Sequence, residues 1–235
     1  MKAFKFRSAE QIPFALDIIL KKRLYCSDWR ILNDPLEGQF SYSYRSIAPF
    51  SGEKLKDTDY FDDLADEISD EKQKKKVCSL SLTAESKLLW AHYASGFTGL
   101  AIEVELPDDS PSICEVEYVG LREVDMHQYR GASAEVDTIL STKFKEWSYE
   151  KEIRIIQNEA WFTLNSKIQR VICGQRMNNA MYEALRIVCN SKGIPISQIY
   201  MDHDGIDLSG ERNPNFQLAQ AIMEKHKTQP VDGDQ

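Results

Sequence analysis

A hydrophobic period of two residues returns along this chain and alternates with stretches of helical period, and that pattern limits the folds open to it. Residues 77–82 alternate Val77, Ser79 and Ser81 with Cys78, Leu80 and Leu82. Further on, Leu100, Ile102, Val104 and Leu106 alternate with Ala101, Glu103 and Glu105. Cys114, Val116 and Tyr118 then alternate with Glu115 and Glu117. Successive strand side chains point to opposite faces, so these runs predict half-buried strands. The turn residues between Pro107 and Pro111 predict that the last two runs form an antiparallel hairpin.

Helical segments come between the strands. Phe4, Lys5, Phe6 and Arg7 read as a short first strand, and Ile12, Ala15, Leu16 and Ile19 follow at helical spacing up to the cations Lys21, Lys22 and Arg23. Residues 24–27 are strand-like, and Asn33-Asp34-Pro35 predicts a turn. Thr83 is positioned to cap a helix over 88–93 that Ser95-Gly96 ends. A helix is predicted over 136–144, strands near 152–157 and 168–173, a helix over 179–189 and a strand at 199–201. This mixed order argues against a doubly wound parallel sheet and predicts an α+β fold with a mixed, mostly antiparallel sheet and flanking helices.

With 42% hydrophobic residues the chain can build a sizeable core, and a single domain over 1–224 is expected. Residues 51–76 are dominated by Asp, Glu and Lys, with Tyr60, Phe61, Leu64 and Ile68 as a sparse apolar set. They read as a charged, solvated helical insertion, and 225–235 as a flexible tail. No long apolar run follows the first charges, so neither a secretory signal nor a membrane anchor is expected, and the cytoplasm is the predicted location. Cys26, Cys78, Cys114, Cys173 and Cys189 lack paired spacing and read as reduced core residues. Lys plus Arg number 29 against 37 Asp plus Glu, a net charge of −8, so any nucleic-acid contact needs a local basic patch. Phosphate-loop, dinucleotide-loop, serine-elbow and zinc-helix motifs are missing, and the run from Met201 to Asp207 reads as a turn with no metal.

Three clusters carry candidate chemistry. In Trp147-Ser148-Tyr149-Glu150-Lys151-Glu152-Ile153-Arg154, a strand would place Glu150, Glu152 and Arg154 on one face. Either Glu152 or Glu150 is then a carboxylate held ionised by Arg154, able to bind a ribose hydroxyl or act as a base, or the face is simply stitched by a Glu–Arg pair. Leu89, Trp90, His92 and Tyr93 crowd one helical turn, either as an aromatic core helix or as a stacking platform with a hydrogen-bonding histidine. Lys5 and Arg7, with Asn33 and Asp34 beyond them, are either phosphate ligands or the charges of an edge strand.

Together these segments resemble a bacterial and phage-associated domain-of-unknown-function family with a Lys-aromatic-Arg strand, a Phe-Asn-Asp-Pro box, a Trp-x-His-Tyr-Ala helix followed by Gly, and a Lys-x-x-x-Trp-x-Tyr-Glu-x-Glu-x-Arg box. Here these read Lys5-Phe6-Arg7, Leu32-Asn33-Asp34-Pro35, Leu89 to Ala94 with Gly99, and Lys143 with Trp147 to Arg154. Leu32 departs from the family's Phe. More distantly, the layout is similar to the DNA-targeting ADP-ribosyltransferase toxins. That resemblance implies an ADP-ribosyltransferase-like split sheet, NAD as co-substrate without a metal, and Glu152 (or Glu150) as the catalytic carboxylate. It also implies Arg7 on a phosphate or ribose and Tyr93 or Trp90 stacked on nicotinamide. Lys5, Asn33, Asp34, His92, Trp147, Tyr149 and Arg154 would complete the cofactor site. The expected function is an NAD-dependent ADP-ribosyltransferase-like or NAD-consuming effector in stress or phage defence, with a nucleic-acid or protein acceptor and no membrane partner. A non-catalytic nucleotide- or protein-binding module using the same pocket is the first alternative, and a nucleic-acid-processing enzyme the second.

Overall fold

Where the period is two, the chain is extended. A computed structural model describes residues 1–43, 58–125, 129, 131–201 and 205–208. Strand β1 (Lys2–Arg7) leads to helix α1 (Ile12–Lys21), with Pro13 in the first turn, where its missing N–H has no helical partner to lose. Short strands β2 (Arg23–Tyr25), β3 (Ser27–Asp28) and β4 (Phe40–Ser43) precede helix α2 (Thr58–Lys74). Strand β5 (Lys76–Ser81), helix α3 (Lys87–Tyr93) and strands β6 (Leu100–Glu105), β7 (Ile113–Glu115), β8 (Glu117–Tyr118) and β9 (Arg122–Asp125) follow. Helix α4 (Ala132–Leu140) leads to β10 (Thr142–Lys143), β11 (Glu152–Gln157), β12 (Trp161–Thr163) and β13 (Arg170–Cys173). Helix α5 (Asn179–Ser191) and strands β14 (Ile196–Gln198), β15 (Tyr200–Met201) and β16 (Ile206–Asp207) complete the described elements.

The main sheet runs β14-β13-β6-β1-β5-β11-β7, with β3 also on β5, and only its β13–β14 pair is parallel. The protein is thus α+β with a mostly antiparallel sheet and flanking helices. Its centre is forked. β1 pairs with β6 along its whole length, from Lys2↔Glu105 to Arg7↔Leu100, and β5 does the same with β11. Between β1 and β5, however, the register is a single pair, Phe4↔Ser81, and at its other end β5 turns to β3 through Ser27↔Val77.

Alternation sorts the side chains to the two faces. Ala3, Cys78, Leu80, Ile102, Ile153, Ile155 and Val171 pack with Ile18 and Ile19 of α1 and Leu185 of α5. On the other face Phe4, Phe6, Ala101 and Ile172 meet Leu89 and Trp90 of α3, while Val77 and Ile156 meet Ile68 of α2 and Val136 and Ile139 of α4. Ser79, Ser81, Glu152 and Arg154 lie on strand positions between those two apolar clusters. They divide the face with a polar stripe.

Several expectations need correcting. β6 and β7 are not a hairpin: β6 sits between β1 and β13, and β7 is the far edge strand on β11. The reason is the wedge of β1, β5 and β11 that enters between two runs adjacent in sequence. Ser86, not Thr83, occupies the N-cap of α3. The predicted helix over 136–144 ends at Leu140, because Thr142 and Lys143 pair in parallel with β8. Of the charged segment 51–76, the part from residue 58 is described, and it is a helix whose Leu64, Ile68 and Lys72 are buried. Lys72 sends Nζ to Gly38 O (2.8 Å) and stands 4.4 Å above the Trp29 ring, so the inner side of α2 belongs to the core. Residues 225–235 lie outside the described residues.

Candidate functional site

The fork opens into a cavity of about 450 Å³, a size typical of small-molecule sites. Consecutive residues of both strands line it, Phe4 to Arg7 on β1 and Ser79 to Ser81 on β5. Glu10, Asn33, His92, Tyr93, Glu150 and Glu152 are among its other polar groups. Residues distant in sequence meet here because β1, β5 and β11 are neighbours and α3 lies across their ends.

One wall is acidic. The strand period puts Glu152 and Arg154 on the same side of β11, and Arg154 holds Glu152 through Nε to Oε1 (2.8 Å) and Nη2 to Oε2 (3.0 Å). Glu150 is not on the strand, contrary to the expected alternation. It ends a 3-10 helix, Lys145–Glu150, and Lys151 at φ 43° turns the chain so that the Glu150 side chain returns to the same cluster. There Lys143 Nζ lies between Glu150 Oε2 (2.7 Å) and Glu152 Oε2 (3.2 Å). Arg154 Nη1 also donates to Glu37 Oε1 and Leu140 O. Three carboxyl groups (Glu37, Glu150 and Glu152) thus share two buried cations (Lys143 and Arg154).

The two carboxyl groups at the cavity are shifted in opposite directions by their surroundings. Burial pushes Glu152 up, but the charge and hydrogen bonds of Arg154, with Lys143, more than offset it and bring the carboxyl down to about 2. For Glu150 burial prevails over Lys143 and the Tyr93 hydrogen bond, and its pKa is raised. Glu37 is likewise raised by burial despite Arg154, and its Oε2 is buried without a hydrogen-bond partner among the described residues. Tyr93 donates its phenolic hydrogen to Glu150 Oε1 and accepts from Asn33 Nδ2. Burial and that carboxylate drive its pKa well above the ordinary phenol range.

The opposite wall is basic. Lys5 Nζ donates to Ser79 O (2.6 Å), satisfying a peptide carbonyl that the fork leaves without a strand partner. Arg7 has only a long contact from Nη1 to Phe6 O (3.5 Å), and its Nε is buried with no hydrogen-bond partner among the described residues. Burial lowers the pKa of both. Neither has an ion-pair partner among the described residues. An unpaired, partly desolvated guanidinium beside a cavity is an anion site by its chemistry.

Other sequence candidates sit elsewhere. Trp90 is fully buried, donates Nε1 to Ala84 O (2.7 Å) and packs edge-on against Phe6, so it cannot stack on a ligand. Arg154 lies beneath the cavity floor, 1% exposed, and Glu152 is 4% exposed. Asp34 is buried and uses Oδ1 to accept the Leu36 N–H, shaping the turn. Trp147 and Tyr149 flank the site without lining it: the Trp147 ring lies 4.8 Å from Lys143 Nζ, and Tyr149 packs 6.2 Å from His92. Ser79, Ser81 and Glu37 were not foreseen. The serines alternate as ordinary strand residues, and Glu37 follows the turn with no periodic signal.

No family model, curated protein or solved structure matches this chain. Chemistry must therefore be read from the cavity itself. Lys5 and Arg7, which lack an ion-pair partner among the described residues, share the cavity with an acidic cluster, a phenol and an amide, a layout suited to a ligand that carries anionic groups and hydroxyls together. Among the described residues, no group of His, Cys, Asp or Glu side chains is placed to hold a metal, and no helix is long and apolar enough to cross a membrane.

Proposed function

We propose that the cavity binds NAD and that the protein is an ADP-ribosyltransferase-like or NAD-consuming enzyme, the effector role that its family resemblance implies. The observation that carries this reading is the placement of Lys5 and Arg7 across the fork from Glu150 and Glu152. The cations suit the pyrophosphate, and the carboxylates suit the hydroxyls of the nicotinamide ribose. Tyr93, one of the aromatic rings at the cavity, is placed between Glu150 and Asn33. It can orient a hydroxyl or pack against the nicotinamide.

Cleavage breaks the ribose C1′–N bond, with both bonding electrons leaving on neutral nicotinamide. Positive charge grows on the ribose, and a nucleophilic oxygen or nitrogen of water or of an acceptor then bonds to C1′ and gives up its proton. The carboxylate of Glu152, held rigid by Lys143 and Arg154, stabilises that charge without reorganising. Incubation with NAD labelled on the adenylate and, separately, on nicotinamide tests the reading. Nicotinamide release, with or without label transfer to protein, DNA or RNA, is expected.

One observation favours a second reading, a non-catalytic nucleotide-binding module: both oxygens of Glu152 are occupied by Arg154 and Lys143. NAD binding by calorimetry without nicotinamide release selects that reading, and absence of NAD binding removes the enzyme reading and leaves a module for another nucleotide or a protein.

A further inference from the structure

A second, smaller hollow of about 180 Å³ adjoins the site, lined by Arg7, Phe14, Ile18, Arg23, Tyr25 and Trp161. Arg7 belongs to both cavities. The hollow is almost wholly apolar, yet its aromatic rings stand at the surface: Phe14 is 62% exposed, Tyr25 48% and Trp161 42%. Strand pairing fixes two of them, since Trp161↔Tyr25 is a register pair and the two rings meet edge to face at 5.1 Å. Arg23 lies flat on Trp161, 3.6 Å from the ring centroid, and Asp17 holds its edge through Nε and Nη2 (3.0 Å each). A guanidinium immobilised in this way presents a plane.

We infer that this hollow is the subsite for the adenine ring of the dinucleotide. The inference rests on the NAD reading and follows from order along the site. Glu150, Glu152 and Tyr93 stand at one end, Lys5 and Arg7 in the middle and the aromatic hollow beyond Arg7. Ribose hydroxyls, pyrophosphate and adenine follow in that same order along NAD. A void of about 150 Å³ already accepts a benzene ring, so a flat heterocycle with one open edge fits here, packed against the exposed aromatic rings. The acceptor of a transfer reaction is not the occupant, because it must reach the ribose carbon at the carboxylates, on the far side of Arg7.

Calorimetry on the full chain with NAD, ADP-ribose and nicotinamide mononucleotide tests this, using Phe14→Ala and Trp161→Ala. Both variants should weaken NAD and ADP-ribose about tenfold or more, the scale of losing one base-stacking ring, and leave nicotinamide mononucleotide unchanged. Phe14 is the safer probe, being the more exposed and outside the strand pairs. Unchanged NAD affinity in both variants overturns the subsite and leaves the NAD reading intact. Equal losses for nicotinamide mononucleotide and NAD place the effect in the fold and also overturn it. If wild-type protein binds none of the three, the NAD reading fails and the subsite falls with it.

Discussion

Arg154 holds Glu152 by two hydrogen bonds from the next position on the same face of β11, and with its remaining nitrogen it reaches Glu37 on the loop after the Asn33-Asp34-Pro35 turn. This places the carboxylate read from sequence as the catalytic group inside a buried charge network.

Glu152→Gln should therefore affect stability as well as activity. Losing the charge leaves Arg154 and Lys143 buried with fewer counter-charges, and breaking one partner of a buried pair costs about 3 kcal/mol. Urea unfolding should show that loss, where a rim residue would show about 1 kcal/mol at most. Nicotinamide release should fall about a hundredfold under conditions where the variant is still folded. A variant as stable as wild type would mean that the network does not hold in solution.

The acid limb of stability carries the same signature. The Glu152 carboxyl sits at about 2 when folded against an ordinary 4.5, so its contribution is fully present above 4.5 and is lost as pH falls through about 2. That gap corresponds to about 3 kcal/mol. Glu150 and Glu37 act in the opposite sense: their raised values make the folded state take up protons more readily, so they add stability as pH falls. The difference in unfolding free energy between wild type and Glu152→Gln should thus shrink from pH 7 to pH 3. A difference independent of pH would rule out Glu152 as the depressed group.

Arg7→Met separates function from stability. Arg7 keeps a buried Nε unpaired among the described residues, so replacing its head by a thioether removes an unsatisfied donor and a desolvated charge. Melting temperature should rise by about 2–4 °C, equivalent to about 1 kcal/mol in a chain of this size. NAD affinity should fall at least about tenfold. A lower melting temperature would indicate that Arg7 is satisfied structurally.

Gly99→Ala should be severe without touching any charged group. A Cβ there would lie 2.1 Å from Arg7 O and 3.0 Å from the Cα atoms of Ser8 and Ala94, all backbone that cannot yield as a side-chain tip would. The end of β1 would have to move, at a cost of about 3 kcal/mol or more. The urea midpoint of purified variant, or its failure to fold, reads this directly.

Much of the fold was legible because alternation and helical spacing are local: β5, β6, β11, α3 and α5 fall close to where the periods put them. Pairing partners were not, since nothing in residues 100–118 says that β1, β5 and β11 will come between two runs that look like one hairpin. The site follows the same division. Lys5, Arg7, Asn33, His92, Tyr93, Glu150 and Glu152 stand at the cavity as polar or aromatic interruptions of regular elements. Trp90 was misplaced because an aromatic on an amphipathic helix serves core and pocket with the same spacing, and only burial distinguishes them. Glu37 carried no pattern at all, its role being set by the buried Arg154 that it meets.

The fork between β1 and β5 also affects how such a site tolerates change. Four consecutive residues of one strand and three of the other line the cavity, which in pleated chains means that the peptide groups themselves form the wall. Main-chain N–H and C=O groups belong to every residue type. Side chains around the opening can drift and alter preference while this main-chain grip persists, and only a change that zips β1 onto β5 beyond Phe4 and Ser81 would erase it.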